Sequence, residues 1–454
     1  MSIDDGDELP KRRRWPWLVG LLALVVGAGG LWLRGRQPEK PEAPERRLFR
    51  KQLPAVVVAK ARGNGAAELA ACVDAAKPWP GVATALGELD AAWGDADRLR
   101  AATKALNAAV REAGLAYWVD PQFPGKRPFL TTYEVLSRAS WTGGEARTEV
   151  LHVRRLDTLN LELGLLGHAG GDQPAVLRDR MELSVMRRLQ TVDDGDGWVK
   201  PNEVDETAAR LWRETLAPLV GADGLAEAER RLDKREQLAR DMERRLKGGR
   251  IHVARPERLV FGDDYFENLE PYTSTRRRGG PLLLASDLRA LRFADEALDD
   301  SAGLEALKKV IDLEAEQVEA HEAHHALDRR ELEVPRLLQS LVGEDDLRFG
   351  RMAERELRAF LGELRDARPP ACLSVVALGP LARGARSQST PHFFAAHALL
   401  ATLGEVDGSR GLDEDTTAAV MKKLCALPDA ELRKKADVAA VALYGAPLPA
   451  ARRE

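Results

Sequence analysis

The segment from His321 to Asp328 contains the residues with the clearest capacity for chemistry. His321, Glu322 and His325 form the pattern H-E-x-x-H. Residues four positions apart on a helix lie on one face, so both imidazoles can bind the same zinc ion. Glu322 would lie beside that ion and accept a proton from metal-bound water. Asp328 shares the face and could accept a hydrogen bond from a ligand imidazole or bind the metal itself. An exposed helix whose polar face happens to carry histidines is the alternative interpretation.

Two predicted helices must position these side chains. The motif lies within a helical pattern that runs from Leu304 to Arg330 without Pro or Gly. A second helical pattern, from Leu347 to Arg368, carries Glu354 and Glu356. In the first pattern, apolar residues recur at spacings of three and four, which is typical of a helix with one buried face. These residues are Leu304, Leu307, Val310, Ile311, Ala315 and Val318.

Together the two segments resemble a zincin metallopeptidase of the gluzincin type. The matching residues are His321-Glu322-x-x-His325-x-x-Asp328 and, later, Glu356-Leu357-Arg358-Ala359-Phe360-Leu361, within residues 300 to 400. In that group a glutamate on a second helix completes the metal site. The resemblance therefore implies a zinc-dependent peptidase with a peptide or protein substrate. It implies one Zn²⁺ per chain, bound by His321, His325 and Glu356, with Glu354 as the alternative third ligand.

The resemblance also implies roles for individual residues. Zinc would keep one position for water, and Glu322 would act as the general base that then protonates the leaving amine. Asp328 would orient a ligand imidazole. A metzincin pattern fits less well. Glu331 stands at the position of that group's third ligand, but Asp328 replaces the glycine that makes its turn.

A further predicted helix begins at Thr390, which is a suitable N-cap, with Pro391 at the first helical position. It carries His392 and His397. Either imidazole could polarise a substrate carbonyl or stabilise an oxyanion near the metal, so both are predicted as catalytic residues. A core or surface position is the alternative for each.

The N-terminal residues predict a membrane anchor. Residues 1–14 form a short tail with basic residues at 11–14, and the stretch from Trp15 to Leu33 has no charge. As a helix, nineteen residues span about 28 Å, close to the thickness of the hydrocarbon layer. Gly27-Ala28-Gly29 is a poor cleavage site, so an uncleaved single-pass anchor is expected. The basic cluster before the apolar segment favours export of the body, although basic residues follow the segment too.

The remaining chain predicts an α+β fold that is predominantly helical. Residues 34–53 are rich in Pro and charged residues and are expected to form an extended linker. Residues 54–250 are expected to form an accessory α+β region. Residues 251–454 are expected to form the zincin-like metallopeptidase domain. The accessory region would contain helices between Ala66 and Gly114 and a hairpin around Thr142-Gly143-Gly144. It would also contain a solvated helix from Ala222 to Lys247. One or two strands are expected between Ile251 and Phe261.

An acidic stretch resembles an EF-hand calcium loop. Asp194, Asp196 and Glu203 occupy positions that supply oxygen ligands in such loops. Val192 stands at the first position, where a carboxylate is needed, so an acidic loop between helices is the favoured interpretation and Ca²⁺ a minor one.

Composition excludes some classes of function. The chain has 454 residues with a formal net charge of −4 and 5% aromatic residues, which argues against a nucleic-acid-binding protein. Cys72, Cys372 and Cys425 lie far apart in apolar contexts and predict buried free thiols.

Two other classes of function stay open. One is a membrane-anchored, non-catalytic metal-binding or scaffold protein of the cell envelope. The other is an envelope module with calcium as its main ligand.

Overall fold

The computed structural model describes residues 43–123, 128–157, 167–168, 173–189, 202–253, 259–261, 263–274, 276–277, 280–299, 302–343, 346–382, 390–409 and 411–454. The predicted anchor, Trp15 to Leu33, and the acidic residues Asp194 and Asp196 lie outside these residues. Among the helices that are described, none combines the length and apolar composition needed to cross a bilayer.

A unit of five α-helices begins the described chain. These are α1 Pro44–Arg47, α2 Leu53–Ala61, α3 Ala66–Ala75, α4 Pro80–Ala92 and α5 Ala96–Glu112. The breaks between α3, α4 and α5 fall at Pro78 and Gly94, two residue types that disfavour a helix. Asp95 caps α5, because its carboxylate accepts hydrogen bonds from the backbone of Asp97 and Arg98.

The prediction of an extended linker over residues 34–53 is wrong from Pro44 onward. A π-helical turn, Leu48–Gln52, joins α1 to α2. Leu48 and Phe49 are fully buried in the core of the N-terminal helices. Pro44 lies in the first turn of α1, where its missing N–H has no partner to lose. Burial of these apolar side chains therefore outweighs the local preference for extended backbone.

A mixed sheet follows the helical unit. Five of its six strands are β1 Tyr117–Gln122, β2 Phe129–Gly143, β3 Ala146–Arg155, β4 Gly167–His168 and β5 Ala175–Leu177. The sixth, Arg452–Arg453, pairs with β2. Their order is β1-β2-β3-β5-β4, so β4 lies at one edge. The predicted hairpin is confirmed, because β2 and β3 pair antiparallel with Gly143 opposite Ala146. Gly144 has a φ of 60°, the left-handed conformation that such a tight turn requires.

Further helices lead from the sheet to the motif. They are α6 Arg178–Leu189, α7 Glu203–Val220, α8 Ala222–Gly248, α9 Asp263–Leu269, α10 Pro271–Ser274 and α11 Ala285–Asp299, with a small ribbon of β6 Arg276–Arg277 and β7 Gly280–Pro281. Glu203, a candidate calcium ligand, begins α7 and forms an ion pair of 3.0 Å with Lys422. The strands predicted between Ile251 and Phe261 do not form in the described part of that segment. Its apolar side chains instead pack on the buried cluster around α8 and α11.

Seven helices and a short strand complete the chain. They are α12 Ala302–Leu327, α13 Arg336–Val342, α14 Leu347–Asp366, α15 Ala371–Ala382, α16 Pro391–Gly404, α17 Glu414–Cys425, α18 Asp429–Tyr444 and β8 Arg452–Arg453. The two helices predicted to position the motif are confirmed as α12 and α14. Cys372 and Cys425 form a disulfide that joins α15 to α17. The prediction of free thiols is therefore wrong for this pair, while Cys72 is free and buried.

A large hydrophobic core spans both halves of the chain. Trp141 of β2, Trp212 of α7, Leu307 of α12 and Leu357 of α14 all belong to it. The boundary predicted at residue 250 therefore does not separate two cores, because the sheet and helices α6, α7 and α8 pack against α12 directly. The motif helix crosses this core, and the described fold is predominantly helical with one small mixed sheet and a two-stranded ribbon.

Candidate metal centre

The motif residues lie near the C-terminal end of α12. His321, Glu322 and His324 are buried, and the side chain of His325 is only 10% exposed. The apolar residues earlier in the helix place it in the core, as the spacing predicted. Burial of these polar side chains requires partners, which α14 supplies.

Helix α14 approaches α12 closely at Gly362. A Cβ atom at this position would overlap the imidazole ring of His324, so glycine allows the two helices to lie side by side. On the far side of the same ring, Nε2 of His324 lies 3.1 Å from Oδ2 of Asp366. The close approach brings the carboxylate of Glu356, earlier in α14, into contact with the motif.

Three potential ligand atoms form a small triangle between these helices. Nε2 of His321 lies 3.1 Å from Nε2 of His325. Oε2 of Glu356 lies 3.3 Å from the first of these nitrogens and 3.2 Å from the second. The structure thus brings together the two motif histidines and Glu356, the set that the gluzincin resemblance implied.

These separations suit a zinc ion. Bonds from zinc to imidazole nitrogen and carboxylate oxygen are about 2.0–2.2 Å, so ligand atoms at tetrahedral positions lie roughly 3.3–3.5 Å apart. The observed spacing of 3.1–3.3 Å comes close to that value. Two imidazoles and one carboxylate are also a donor set of catalytic zinc sites. The residues therefore fit this metal.

A second carboxylate on α14 orients one of the imidazoles. Oε2 of Glu363 lies 3.3 Å from Nδ1 of His321, within ion-pair distance although not aligned as a hydrogen bond. Gln317 donates a hydrogen bond of 3.2 Å to the other oxygen of Glu363. A proton on Nδ1 leaves the lone pair on Nε2 facing the triangle, which is the tautomer that binds a metal.

The electrostatics of the cluster favour a cation. Burial opposes a charge on His321, but the carboxylates of Glu356 and Glu363 outweigh it and raise the pKa of this imidazole to about 10. Burial also opposes the charge on Glu356, yet contacts with His321 and His325 hold its pKa far below the usual value. Burial lowers the pKa of His325. A divalent cation bound among these atoms would replace the proton. Its charge would stabilise the carboxylate, and an imidazole must be neutral to bind a metal.

Glu322 is buried, and the charges of His321 and Glu356 act on its carboxyl group. Burial raises the pKa of its carboxyl group to about 8. Its Oε2 atom accepts no hydrogen bond from any described residue. Gly167 of edge strand β4 packs directly against this side chain and against Val318, where a Cβ atom would overlap both. One oxygen of the Glu322 carboxyl group is therefore available to accept a proton or a hydrogen bond.

His392, at the start of α16, reaches the same site. Its Nε2 atom lies 3.1 Å from Oε2 of Glu356, and its side chain is 32% exposed. Burial lowers the pKa of this imidazole, which favours the neutral form. His392 therefore lies at this cluster, in contact with Glu356. The catalytic role expected of His392 stays a prediction.

Three other predicted residues lie elsewhere. His397 is buried in the core, where its ring packs on Phe393 and Nδ1 accepts a hydrogen bond of 3.0 Å from the backbone of Leu412. The prediction of a catalytic role for His397 is therefore wrong.

Asp328 and Glu354 bind an arginine instead of the metal cluster. Arg358 lies 2.9 Å from Asp328 and 2.6 Å from Glu354. Asp328 directly follows the last residue of α12 and also pairs with Arg330 at 2.8 Å. The predicted hydrogen bond from a ligand imidazole to Asp328 is therefore replaced by these ion pairs, and Glu354 does not face the triangle.

The sequence reasoning missed Glu363 and Gly167. Glu363 follows Glu356 by seven residues, two helical turns, so both carboxylates lie on one face of α14. That spacing could have identified it. Gly167 has no local signal, because its contact with Glu322 depends on the packing of the sheet edge against α12.

Neither the models of protein families, nor the curated proteins, nor the solved structures yield a match to this chain. Any inference about the chemistry of this site therefore comes from its own side chains.

Proposed function

We propose that this protein is a membrane-anchored, zinc-dependent peptidase. The observation that carries the proposal is the triangle of His321, His325 and Glu356 beside the buried carboxyl group of Glu322. Three protein ligands leave a fourth position for water or substrate, which distinguishes catalytic zinc sites from structural ones. When bound, zinc would act as a Lewis acid on the scissile carbonyl and acidify the attacking water.

Glu322 would act as the general base. Its carboxyl group has an oxygen free of partners among the described residues, and burial raises its pKa to about 8. A base whose pKa lies near the working pH both accepts and returns protons efficiently. Glu322 would therefore take the proton of the attacking water and pass it to the amine that leaves.

His392 would act on the substrate side of the site. It is the most exposed of the three imidazoles, and its first-turn position on α16 is held by the Thr390 cap. A neutral imidazole with an N–H can donate a hydrogen bond to the carbonyl oxygen as negative charge develops there. This donor would add to the effect of the metal.

We further propose that the body lies on the exported side of the membrane, anchored through residues 15–33. The disulfide between Cys372 and Cys425 supports this side, because disulfides persist in oxidising compartments and are rare in the cytosol. The apolar, uncharged character of residues 15–33 supports the anchor.

One observation favours a second candidate, a metal-binding protein without catalysis. His392 lies 3.1 Å from Glu356, close enough for a fourth protein side chain to occupy the site. Structural zinc sites have four filled positions. Activity measurements separate the two candidates.

The test compares Glu322→Gln with the parent chain. The variant should bind as much zinc as the parent but lose at least 100-fold in peptide hydrolysis, since it removes the proton acceptor and no ligand; general-base catalysis contributes about 10²–10⁴-fold. Zinc is measured by mass spectrometry, and hydrolysis with an unstructured protein such as casein. Glu331→Gln, the same change at an exposed glutamate, is the matched control. Equal hydrolysis by the parent and Glu322→Gln would overturn the proposed role, and absence of any hydrolysis would favour the second candidate.

A further inference from the structure

The imidazole of His392 contacts the same carboxylate oxygen as the two motif histidines. Oε2 of Glu356 lies 3.1 Å from Nε2 of His392, 3.3 Å from that of His321 and 3.2 Å from that of His325. Ligand atoms of His321, Glu356 and His392 all lie within 4.8 Å of one another. Three imidazole nitrogens therefore lie within 3.1–3.3 Å of one carboxylate oxygen.

The fold holds the His392 ring close to this volume. Thr390 caps α16 by accepting a hydrogen bond of 3.2 Å from the backbone of Phe393. Phe360 of α14 packs against two of the imidazoles, with ring centroids 6.1 Å from His392 and 4.6 Å from His321. The backbone of the first turn and the shared aromatic neighbour both limit the positions that the His392 ring can adopt.

We propose that His392 is a fourth protein ligand of the zinc ion when no substrate is bound. The inference rests on the proposed zinc site and extends its donor set to three imidazoles and one carboxylate. Neutral imidazole is a common zinc ligand, and four protein donors complete a tetrahedral shell. The fourth position is then occupied at rest by the protein itself and not by water.

His392 is also the ligand that can leave. Its side chain is 32% exposed, whereas those of His321 and His325 are 9% and 10% exposed. A rotation of the His392 side chain off the metal would need no movement of α12, and it would leave the imidazole on the substrate side, where it could donate a hydrogen bond to the carbonyl oxygen. In the exchange, the bond between His392 and zinc would break as a bond to the oxygen of water or substrate forms, and the oxidation state of the metal would not change. Substrate entry would therefore open a site that is closed at rest.

X-ray absorption of the zinc-loaded, full-length protein tests the proposal. Scattering from ring carbons counts the imidazoles, and we expect three in the parent and two in His392→Ala. Competition with a chelator should show that this variant binds zinc at least about tenfold more weakly, since a loss of this size is typical even of groups beyond the ligands. His252→Ala removes an exposed histidine in the segment after α8 and is the matched control; it should leave three imidazoles.

A rescue experiment excludes a general effect of the substitution. Free imidazole added to His392→Gly should restore the third imidazole signal, because the small side chain leaves space for it. Two imidazoles in the parent, with equal zinc affinity in His392→Ala, would overturn the inference. That outcome leaves the zinc peptidase intact, since the metal is still bound by His321, His325 and Glu356. A parent chain that binds no zinc would overturn both.

Discussion

Two polar clusters join α12 to α14, and they differ in how their charges are balanced. In one, the carboxylates of Asp328 and Glu354 both bind the guanidinium group of Arg358. In the other, the carboxylate of Glu356 meets only imidazoles among the described residues. The first cluster thus contains its own permanent cation. The second has a carboxylate and converging nitrogens, which a divalent metal would complete.

The comparison shows why two neighbouring glutamates have different roles. Glu354 and Glu356 are two residues apart, so they project about 200° apart around the helix. Glu356 faces α12 at the level of the motif, while Glu354 faces Arg358 and the end of α12. The position of Arg358 therefore distinguishes the two carboxylates, because Glu354 forms an ion pair with it and Glu356 contacts the motif histidines.

The largest expected difference between the clusters is in zinc affinity. Glu356→Ala should weaken zinc binding more than about 100-fold, beyond the range typical of groups outside the ligand set. Glu354→Ala should leave zinc affinity within about threefold of the parent and instead cost roughly 1–3 kcal/mol of unfolding free energy, because it removes a buried partner of Arg358. Chelator competition and denaturant unfolding measure the two quantities. If Glu354→Ala releases the metal and Glu356→Ala retains it, the two clusters have been assigned in reverse.

A smaller effect is expected from the groups that orient the ligands. Glu363→Gln should weaken zinc binding about 10- to 100-fold, since it removes the charge beside Nδ1 of His321. Asp328→Asn should change zinc affinity much less, because Asp328 pairs with Arg330 and Arg358. The same zinc titration is suitable for both variants. A stronger effect of Asp328→Asn than of Glu363→Gln would show that Asp328, and not Glu363, supports the imidazole.

The smallest predicted effect is a dependence of stability on pH in the metal-free protein. Burial raises the pKa of Glu322 to about 8, above its ordinary value of 4.5. The folded state therefore binds this proton more tightly than the unfolded state, and stability is lost as pH rises from 4.5 through about 8. For His321, burial is outweighed by Glu356 and Glu363, and the pKa rises from 6.5 to about 10, which extends the loss to higher pH.

Thermal unfolding with a chelator present tests this pH dependence. Glu322→Gln has no proton to lose, so it should gain stability relative to the parent between pH 6 and pH 8.5, by about 1–3 kcal/mol. Glu331→Gln should show the same stability as the parent at pH 6 and at pH 8.5. A parent chain that becomes more stable over this interval, while Glu322→Gln does not, contradicts the burial of an acidic carboxyl group at this position.

Local pattern was sufficient to predict the elements that hold the site. Helices α12 and α14, the Thr390 cap and the hairpin at Gly143-Gly144 all follow from spacing, capping and turn chemistry within a few residues. The contact between His321 and His325 follows from a spacing of four on one helix. These features depend on neighbours in sequence, which the sequence displays directly.

Contacts between distant segments could not be predicted in the same way. Asp328 was expected to serve the metal, but Arg358, thirty residues later, binds it. The disulfide of Cys372 with Cys425 needs the packing of α15 against α17. Helical spacing could have separated His392 from His397, because a separation of five residues turns the two side chains about 140° apart. Only one of them can face the metal centre.

The zinc content of the full-length chain tests the central claim most directly. We predict about one zinc per parent chain, determined by mass spectrometry after removal of loosely bound metal. Replacement of both His321 and His325 by Ala should abolish this zinc, while the folded helical content stays the same by circular dichroism. His252→Ala should retain it. A double variant that still holds one zinc per chain would contradict the assignment of the metal centre to α12.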